Sequence, residues 1–373
     1  MKKEKNMKPK ENKDLTPAEI EQFGKELDAI RDEALQSLGQ EDVDYIKDVI
    51  KLCRDSELAG RAMLTMGWSP LFWMGGTGLL AFSKIIENME IGHNIMHGQY
   101  DFAEDPELTS QTYEWDTACP ADQWRHSHNY MHHTFTNVAG VDRDLGYGLM
   151  RLSDDQPWEK KHSLQMGSNL LLSLFFQWGV ALHDLEFDRL MSGEKELKLD
   201  EVLPILKKSI AQIGKDYVLF PLLSGPSAVP VALGNMTANL IRNVWAHAII
   251  FCGHFTENAE VFEKESLENE TRGEWYLRQL KGSSNLEGND FFHLLSGNLS
   301  HQIEHHLFPD IPAWRYKEIS KKVKALCEKY GQYYNTGSFF SQYLQVLTRI
   351  ARYSLPEEAT LEVNQAQELA TVA

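Results

Sequence analysis

Apolar residues follow two habits along this chain. In roughly the first sixty residues they are spaced; beyond that they come in runs. Thr16-Pro17-Ala18-Glu19 joins a capping hydroxyl, a first-turn proline and a glutamate three residues after the cap. That combination predicts a helix start. Ile20, Phe23, Leu27, Ile30, Ala34 and Leu38 then recur at helical spacing, and Gly39 offers an end. A second amphipathic helix is predicted from about Val43 to Cys53.

The runs ask a different question. A helix that spans a bilayer needs roughly 20 apolar residues. Leu58 to Ile86 is apolar but carries Arg61 and the break Gly75-Gly76-Thr77-Gly78; it fits one span or a short hairpin. Leu164 to Leu182 is long enough to span, to lie in an interface or to pack in a core. Tyr217 to Gly253 is the strongest membrane signal, about two spans broken near Gly225-Pro226 and Pro230. It predicts a hairpin that enters and leaves on one side. A polar region (100–162) and a charged one (184–215) separate these runs, and 314–330 reads as a basic helix. Residues 1–14 and the tail 356–373 are polar and predicted disordered. The expected organisation is an N-terminal segment 1–57, a main domain 58–335 and a C-terminal segment 336–373.

Average composition hides that unevenness. Mean hydropathy is -0.40, which taken alone describes a soluble chain. The formal net charge of -17 excludes a nucleic-acid partner, which needs a basic footprint. It does not exclude a membrane, because topology follows local Lys and Arg placement. Cys53, Cys119, Cys252 and Cys327 form no CxxC pair and no ferredoxin spacing. A reducing, cytosol-facing location is expected. The Lys-rich start has no apolar stretch behind it, so no signal peptide is expected.

Chemistry enters with the histidines. Eight of the fourteen lie in three clusters: His93 and His97; His128, His132 and His133; His301, His305 and His306. Neutral imidazole suits iron, zinc, copper and nickel. One tetrahedral zinc takes four ligands, so eight point to two metals with open positions. A pair of irons activating oxygen fits. His93 and His97, four apart, share a helix face; the plain alternative is two surface histidines.

The second and third clusters share the template His, amide, two residues, His-His. On a regular helix the first and last histidines of each, five apart, face away from each other. A local bulge, or ligation by Asn129 or Gln302, resolves this. His132, His133, His305 and His306 lead the candidate ligands, and His128 and His301 follow. Asn129 and Gln302 are ligands or supporting donors. His254 is favoured over His247 to complete the site, with Asn243 near enough to assist His247. His126 is a weaker candidate. His162, His183 and His293 read as ordinary single histidines. Asp142, Arg143 and Asp144 suit metal support, substrate contact or a solvated charge run. Glu304 reads as a supporting acceptor rather than a base. Trp115, Trp124, Phe135, Phe291 and Phe292 fit a dry pocket or ordinary core.

The run Trp124-Arg125-His126-Ser127-His128-Asn129-Tyr130-Met131-His132-His133-Thr134-Phe135-Thr136-Asn137 resembles the second histidine box of membrane fatty-acid desaturases. Gly297-Asn298-Leu299-Ser300-His301-Gln302-Ile303-Glu304-His305-His306-Leu307-Phe308-Pro309 resembles their third, and Gly92-His93-Asn94-Ile95-Met96-His97-Gly98 their first. The likeness is greatest to bacterial, mycobacterial-type acyl-CoA desaturases and covers about residues 58–335. It implies an all-α, integral-membrane fold: transmembrane hairpins, with a cytosolic helical cap holding two irons. The implied ligands are His93, His97, His128, His132, His133, His254, His301, His305 and His306. The chain departs from the pattern twice. Three residues separate His128 from His132 where many relatives have two, and His301 precedes Gln302 where front-end desaturases carry only the glutamine.

The implied reaction is oxygen-dependent insertion of a double bond into a long fatty acyl chain, with coenzyme A as the expected carrier. Two electrons must come from outside. The chain has no His-Pro-Gly-Gly haem motif, no ferredoxin cysteine set and no Rossmann glycine fingerprint. An external ferredoxin, cytochrome or reductase is therefore the expected partner, beside the acyl substrate and a lipid membrane. The rivals are a di-iron lipid hydroxylase and, from another class, a non-catalytic metal-binding membrane protein.

Overall fold

The computed structural model describes residues 12–357, 359–360 and 363–364. Residues 1–11 and 365–373, where disorder was expected, lie outside that set. Residues 12–14 are tied down instead: Lys13 N–H donates to the Gly331 carbonyl at 3.0 Å. In the tail, Thr360 is buried and accepts from Arg151 at 3.3 Å.

The protein is mostly helical. Helix α1 (Pro17–Gln36) starts as its sequence predicts: the Thr16 hydroxyl accepts from Glu19 N–H, and Glu19 accepts from Thr16 N–H in return. Its apolar stripe, Phe23 and Leu27 foremost, packs on α8 (Arg272–Lys281) and α10 (Tyr316–Tyr330). Helix α2 runs much further than expected, Gln40–Leu64, and pairs along its length with α3 (Pro70–Ile86). The glycine run explains that pairing. A Cβ on Gly60 would stand 2.9 Å from the Gly76 carbonyl, and one on Gly76 would stand 2.8 Å from the Gly60 carbonyl. Gly60 and Gly76 form a contact between helices, and the glycine run does not break α3.

Helix α4 (Gln165–Leu174) and α5 (Phe176–Asp184) are separated at Phe175, whose φ of -114° and ψ of 31° leave helical geometry. Helix α6 (Leu199–Ile213) continues through a π-turn, Gly214–Leu219, into the short Phe220–Leu223 turn. Helix α7 (Ala228–His254) is 27 residues long and packs on α3, α4, α5 and α11 (Phe339–Tyr353). Helix α9 (Gln302–Leu307) lies between α8 and α10. A two-stranded parallel sheet, β1 (Asn285–Glu287) on β2 (Thr336–Ser338), ties the C-terminal part to the core.

These helices correct the membrane reading. Among the described residues, no helix is long and apolar enough to cross a membrane. The run 58–86 is divided at the 65–69 turn, and 164–182 at Phe175. The break expected near Gly225-Pro226 is present, as the 3-10 turn Gly225–Ser227 between the segment that ends at Leu223 and the single helix α7. Pro230 does not break it, because a proline in a first turn removes no helical hydrogen bond. That helix buries Asn235, Asn239, Arg242, Asn243 and His247. The predicted transmembrane hairpins and multi-pass membrane location are therefore corrected: no described helix is long and apolar enough to span. Large apolar side chains do remain exposed on these elements, including Leu71, Met74, Leu222, Leu223 and Val229.

Candidate metal centre

Four segments bring the histidines together. Helix α3 passes through a π-turn, Glu87–Gly92, into the short helix His93–Met96. There His93 and His97 share one face, their rings tilted by 48° with centres 4.7 Å apart. The second cluster lies on a π-helix, Arg125–His132. This is the local bulge its spacing required: a wider turn lets His128 and His133, five apart, face one centre, with rings 5.0 Å apart. His254 is the last residue of α7, and His305 and His306 sit on α9.

Two groups result. The ring nitrogens of His93, His97, His128 and His305 lie within 4.8 Å of one another, and so do those of His132, His254 and His306. His133 stands between them, its ring 4.6 Å from His97, 4.7 Å from His305 and stacked 4.3 Å from His306.

Hydrogen bonding alone does not account for this arrangement. The Nε2 atoms of His132, His306 and Gln302 all converge on Nε2 of His254, at 3.3, 3.1 and 2.9 Å. One imidazole nitrogen carries one lone pair or one proton, so at most one of these contacts is a hydrogen bond. Nε2 of His97 and His128, both ring nitrogens of His133 and Nδ1 of His305 are buried without any partner. Each such group costs about 1–3 kcal/mol when nothing compensates it. A cation at each convergence point removes the conflict, and the donors fit iron: neutral imidazole is one of its ordinary ligands.

Protonation favours the same role. Burial holds His93, His97, His133, His254, His305 and His306 well below the usual imidazole pKa, and their neighbours in the cluster push the same way. His128 is lowered too, by burial that outweighs its bond to Asp144. For His132, burial is overcome by the Asp142 and Asp144 carboxylates, and the pKa rises.

Outer partners aim the rings. Nδ1 of His132 meets Asp142 at 3.0 Å, and that of His128 meets Asp144 at 3.2 Å. Nδ1 of His306 meets Oε1 of Gln279 at 3.0 Å, and that of His254 lies 3.3 Å from the Gly282 carbonyl. A proton held on Nδ1 leaves Nε2 as the lone pair facing inward. Gln279 and the Gly282 carbonyl left no signal in the sequence, and Thr136, within the second motif, donates to Gln279 at 2.7 Å. His183, read as ordinary, donates from Nε2 to Asp144 at 2.9 Å and so steadies the carboxylate that holds His128.

Several candidates stand elsewhere. His301 is not brought to the others. It lies in the 3-10 turn Leu299–His301, before α9 begins, and its ring stacks 4.6 Å from His293. Burial lowers its pKa to about 3. Gln302 takes the place nearest the second group. His247 pairs with Asn169 at 3.0 Å, and Asn243 bonds the Leu174 carbonyl at 2.9 Å instead of assisting it. The Asn129 amide donates to the Met96 carbonyl at 2.8 Å, locking the second segment to the first. His126 is exposed, and His162 accepts from Glu159 N–H at 2.9 Å. Arg143 pairs with Glu186 at 3.7 Å. Glu304 accepts from Asn285 and Tyr334, each at 2.8 Å, while burial pushes its pKa up to about 7.

A mainly apolar cavity opens from His93 and His128. Trp115, Trp124, Tyr147, Phe176, Val180 and Ile250 supply its apolar lining. Phe135, Phe291 and Phe292 are not in its lining. Tyr147 has a φ of 55°, rare for a bulky residue, and there its ring stacks on Phe251 at 5.7 Å.

Comparison with known proteins agrees with this geometry. The fatty acid desaturase family matches residues 68–338. The chain is 43% identical over 350 residues to the NADPH-dependent stearoyl-CoA 9-desaturase of Mycobacterium tuberculosis, covering 92% of this chain and 82% of that one. It is 26% identical over 268 residues to the sn-1 linoleoyl-lipid 6-desaturase of Synechocystis, covering 69% and 74%. It is 32% identical over 220 residues to the acyl-lipid (7-3)-desaturase of Rebecca salina, covering 56% and 47%. With its histidine clusters gathered beside an apolar cavity and these matches spanning most of its length, the chain belongs to the fatty acid desaturase family.

Proposed function

We propose that this protein is an acyl-CoA desaturase that inserts one double bond into a long saturated chain. Coenzyme A, a stearoyl-length chain and ultimate dependence on NADPH are carried over from the mycobacterial relative's name. The reaction consumes the two hydrogens of adjacent methylenes, one O2, two electrons and two protons. It yields the alkene and two waters.

His93, His97, His128 and His305 would hold one iron, and His132, His254 and His306 the other, with His133 between. When bound, the iron pair supplies the oxygen activation needed to remove hydrogen from unactivated methylenes. The chain's residues do the rest. Asp142, Asp144 and Gln279 fix ring tautomer and direction. Trp115 and Trp124 keep water from the cavity beside His93 and His128. The apolar lining orients the acyl chain, so that position rather than intrinsic reactivity selects the carbon pair.

The observation that carries the reading is the convergence of unpaired ring nitrogens at the mouth of a narrow apolar cavity. The test is gas chromatography–mass spectrometry of fatty acids from cells expressing the chain with an NADPH-driven electron donor. A new monounsaturated acid, absent with His305→Ala, is expected. A hydroxy acid in its place moves the assignment to a hydroxylase. No new lipid from iron-loaded protein with a working donor removes the enzymatic reading.

A further inference from the structure

Electrons must reach the buried histidines from another protein, and transfer slows steeply with distance. The entry point is therefore where the centre comes nearest to solvent. Residues 93–96, 251–256 and 301–308 are buried throughout, and His97 is partly so. The π-helix differs. His128 and Asn129 are partly accessible, His126 is exposed, and Tyr130 is 57% exposed. Tyr130 lies two residues from both His128 and His132. Its ring stacks 5.9 Å from His126 and meets Phe135 edge-on at 6.4 Å.

Acidic segments border this aromatic patch at both ends. Between residues 101 and 122 there are seven Asp and Glu and no Lys or Arg; Asp105, Glu114, Asp116 and Asp122 pair with Lys47, Lys208, Lys215 and Arg125, which leaves Asp101, Glu104 and Glu107 as the rim at this end. That loop is fastened to the π-helix by Arg125, which donates to the carbonyls of Ser110 at 2.8 Å and Tyr113 at 3.3 Å. Between residues 257 and 270 there are six Glu and one Lys. That segment is fastened by Arg278, which pairs with Glu270 at 2.6 Å and donates to the Thr134 carbonyl at 2.9 Å. Glu104, Glu107, Glu263, Glu265 and Glu268 are exposed.

We propose that the outward face of segment 125–135 is the docking surface for a positively charged one-electron carrier protein. The proposal rests on the desaturase reading above. Exposed aromatics are the usual anchors of protein interfaces, and a charged rim sets partner choice and encounter rate. A negative rim repels the phosphates of coenzyme A, so the substrate headgroup is not its occupant.

The probe is ferricytochrome c, a basic one-electron haem protein. Full-length, iron-loaded protein is reduced with dithionite, freed of excess reductant anaerobically and mixed with it in a stopped-flow instrument. The expected reduction rate falls steeply with added salt. It also falls by roughly tenfold or more in the combined variant Glu104→Lys, Glu107→Lys, Glu265→Lys, Glu268→Lys. Carrier-free single turnover of stearoyl-CoA by the same variant stays unchanged. A rate indifferent to salt and to the four reversals overturns the docking surface while single turnover leaves the desaturase reading standing. No single-turnover product from the unaltered reduced protein overturns both.

Discussion

Two buried polar assemblies share the same pair of helices, and they are built on opposite principles. Lys84 on α3 and the helix α7 residues Asn235, Asn239 and Arg242 meet a knot of charge around Asp216, Asp116 and Glu87. Further along the same elements, His93 and His254 meet the histidine centre. In the first assembly, charge is answered by charge. Asp216 is fully buried and takes Lys84 at 2.8 Å, Arg61 at 3.4 Å and the Asn239 amide at 3.1 Å. Lys215 pairs with Asp116, Gln212 donates to the Asp116 carbonyl at 3.0 Å, and Asp116 N–H donates to Glu87 at 2.9 Å. In the second, like meets like: imidazole faces imidazole, and buried nitrogens stay unpaired. Opposite charges matched in this way hold a fold together; like, unpaired ring nitrogens ask for a ligand.

The sharpest way to break that contrast is to remove a histidine. His305→Ala is expected to abolish product formation and lower bound iron per chain, with little loss of fold stability in chelated protein. Metal analysis and circular dichroism read the two separately, and unaltered iron content would place the centre elsewhere. Asp216→Ala tests the other side. It leaves Lys84 buried and unanswered, at an expected cost of about 3–5 kcal/mol in denaturant unfolding; a change below about 1 kcal/mol contradicts the structural role. The folded fraction should still load iron.

Asp142→Asn keeps size but removes the carboxylate behind His132. Metal affinity is expected to drop roughly 10–100-fold, measured by competition with a chelator, while unfolding in metal-free buffer barely changes. Equal iron affinity would show that His132 needs no such support.

Glu90 sits between the assemblies, three residues before His93, and belongs to neither. Burial pushes its pKa up to about 8 against the opposing effect of Tyr45 and Asn298, which donate at 2.8 and 2.9 Å. The folded-state value is above the unfolded one, near 4.5. The stability it permits is therefore fully present below pH 4.5 and declines as pH rises towards 8. The slope is at most about 1.4 kcal/mol per pH unit for one group. Glu90→Gln should flatten the fall in stability across that range; an unchanged pH profile would mean that Glu90 ionises freely. The smallest effect is expected for His301→Ala. Iron content should stay within twofold, because that ring faces His293; loss of one iron would return His301 to the centre.

Glu304 and the cavity wall show where reading the sequence reaches its limit. The repeated His-amide-x-x-His-His template was enough to find the centre, because histidines at that density have few other uses. It was not enough to separate His301 from Gln302. The answer depends on where α9 begins, and the 3-10 turn just before it is set by packing. The bulge suspected in the second cluster is a π-helix, since a regular turn cannot point His128 and His133 at one centre. The apolar runs misled more seriously. Hydropathy along 217–253 averages over a helix whose polar residues Asn235, Asn239 and Arg242 are paired inside the protein.

What the sequence determined by itself is local. The cap at Thr16, the spaced stripe of α1 and the grouping of eight histidines into three motifs follow from nearest neighbours. What only the tertiary structure decided is which distant groups meet: Gln279 behind His306, Gly60 against Gly76, Asp216 beneath Lys84, and Tyr147 held at positive φ in the cavity wall. Those pairings are set by close packing between separate elements, 27 residues apart for Gln279 and His306 and 132 for Asp216 and Lys84, and a periodic pattern carries no record of them.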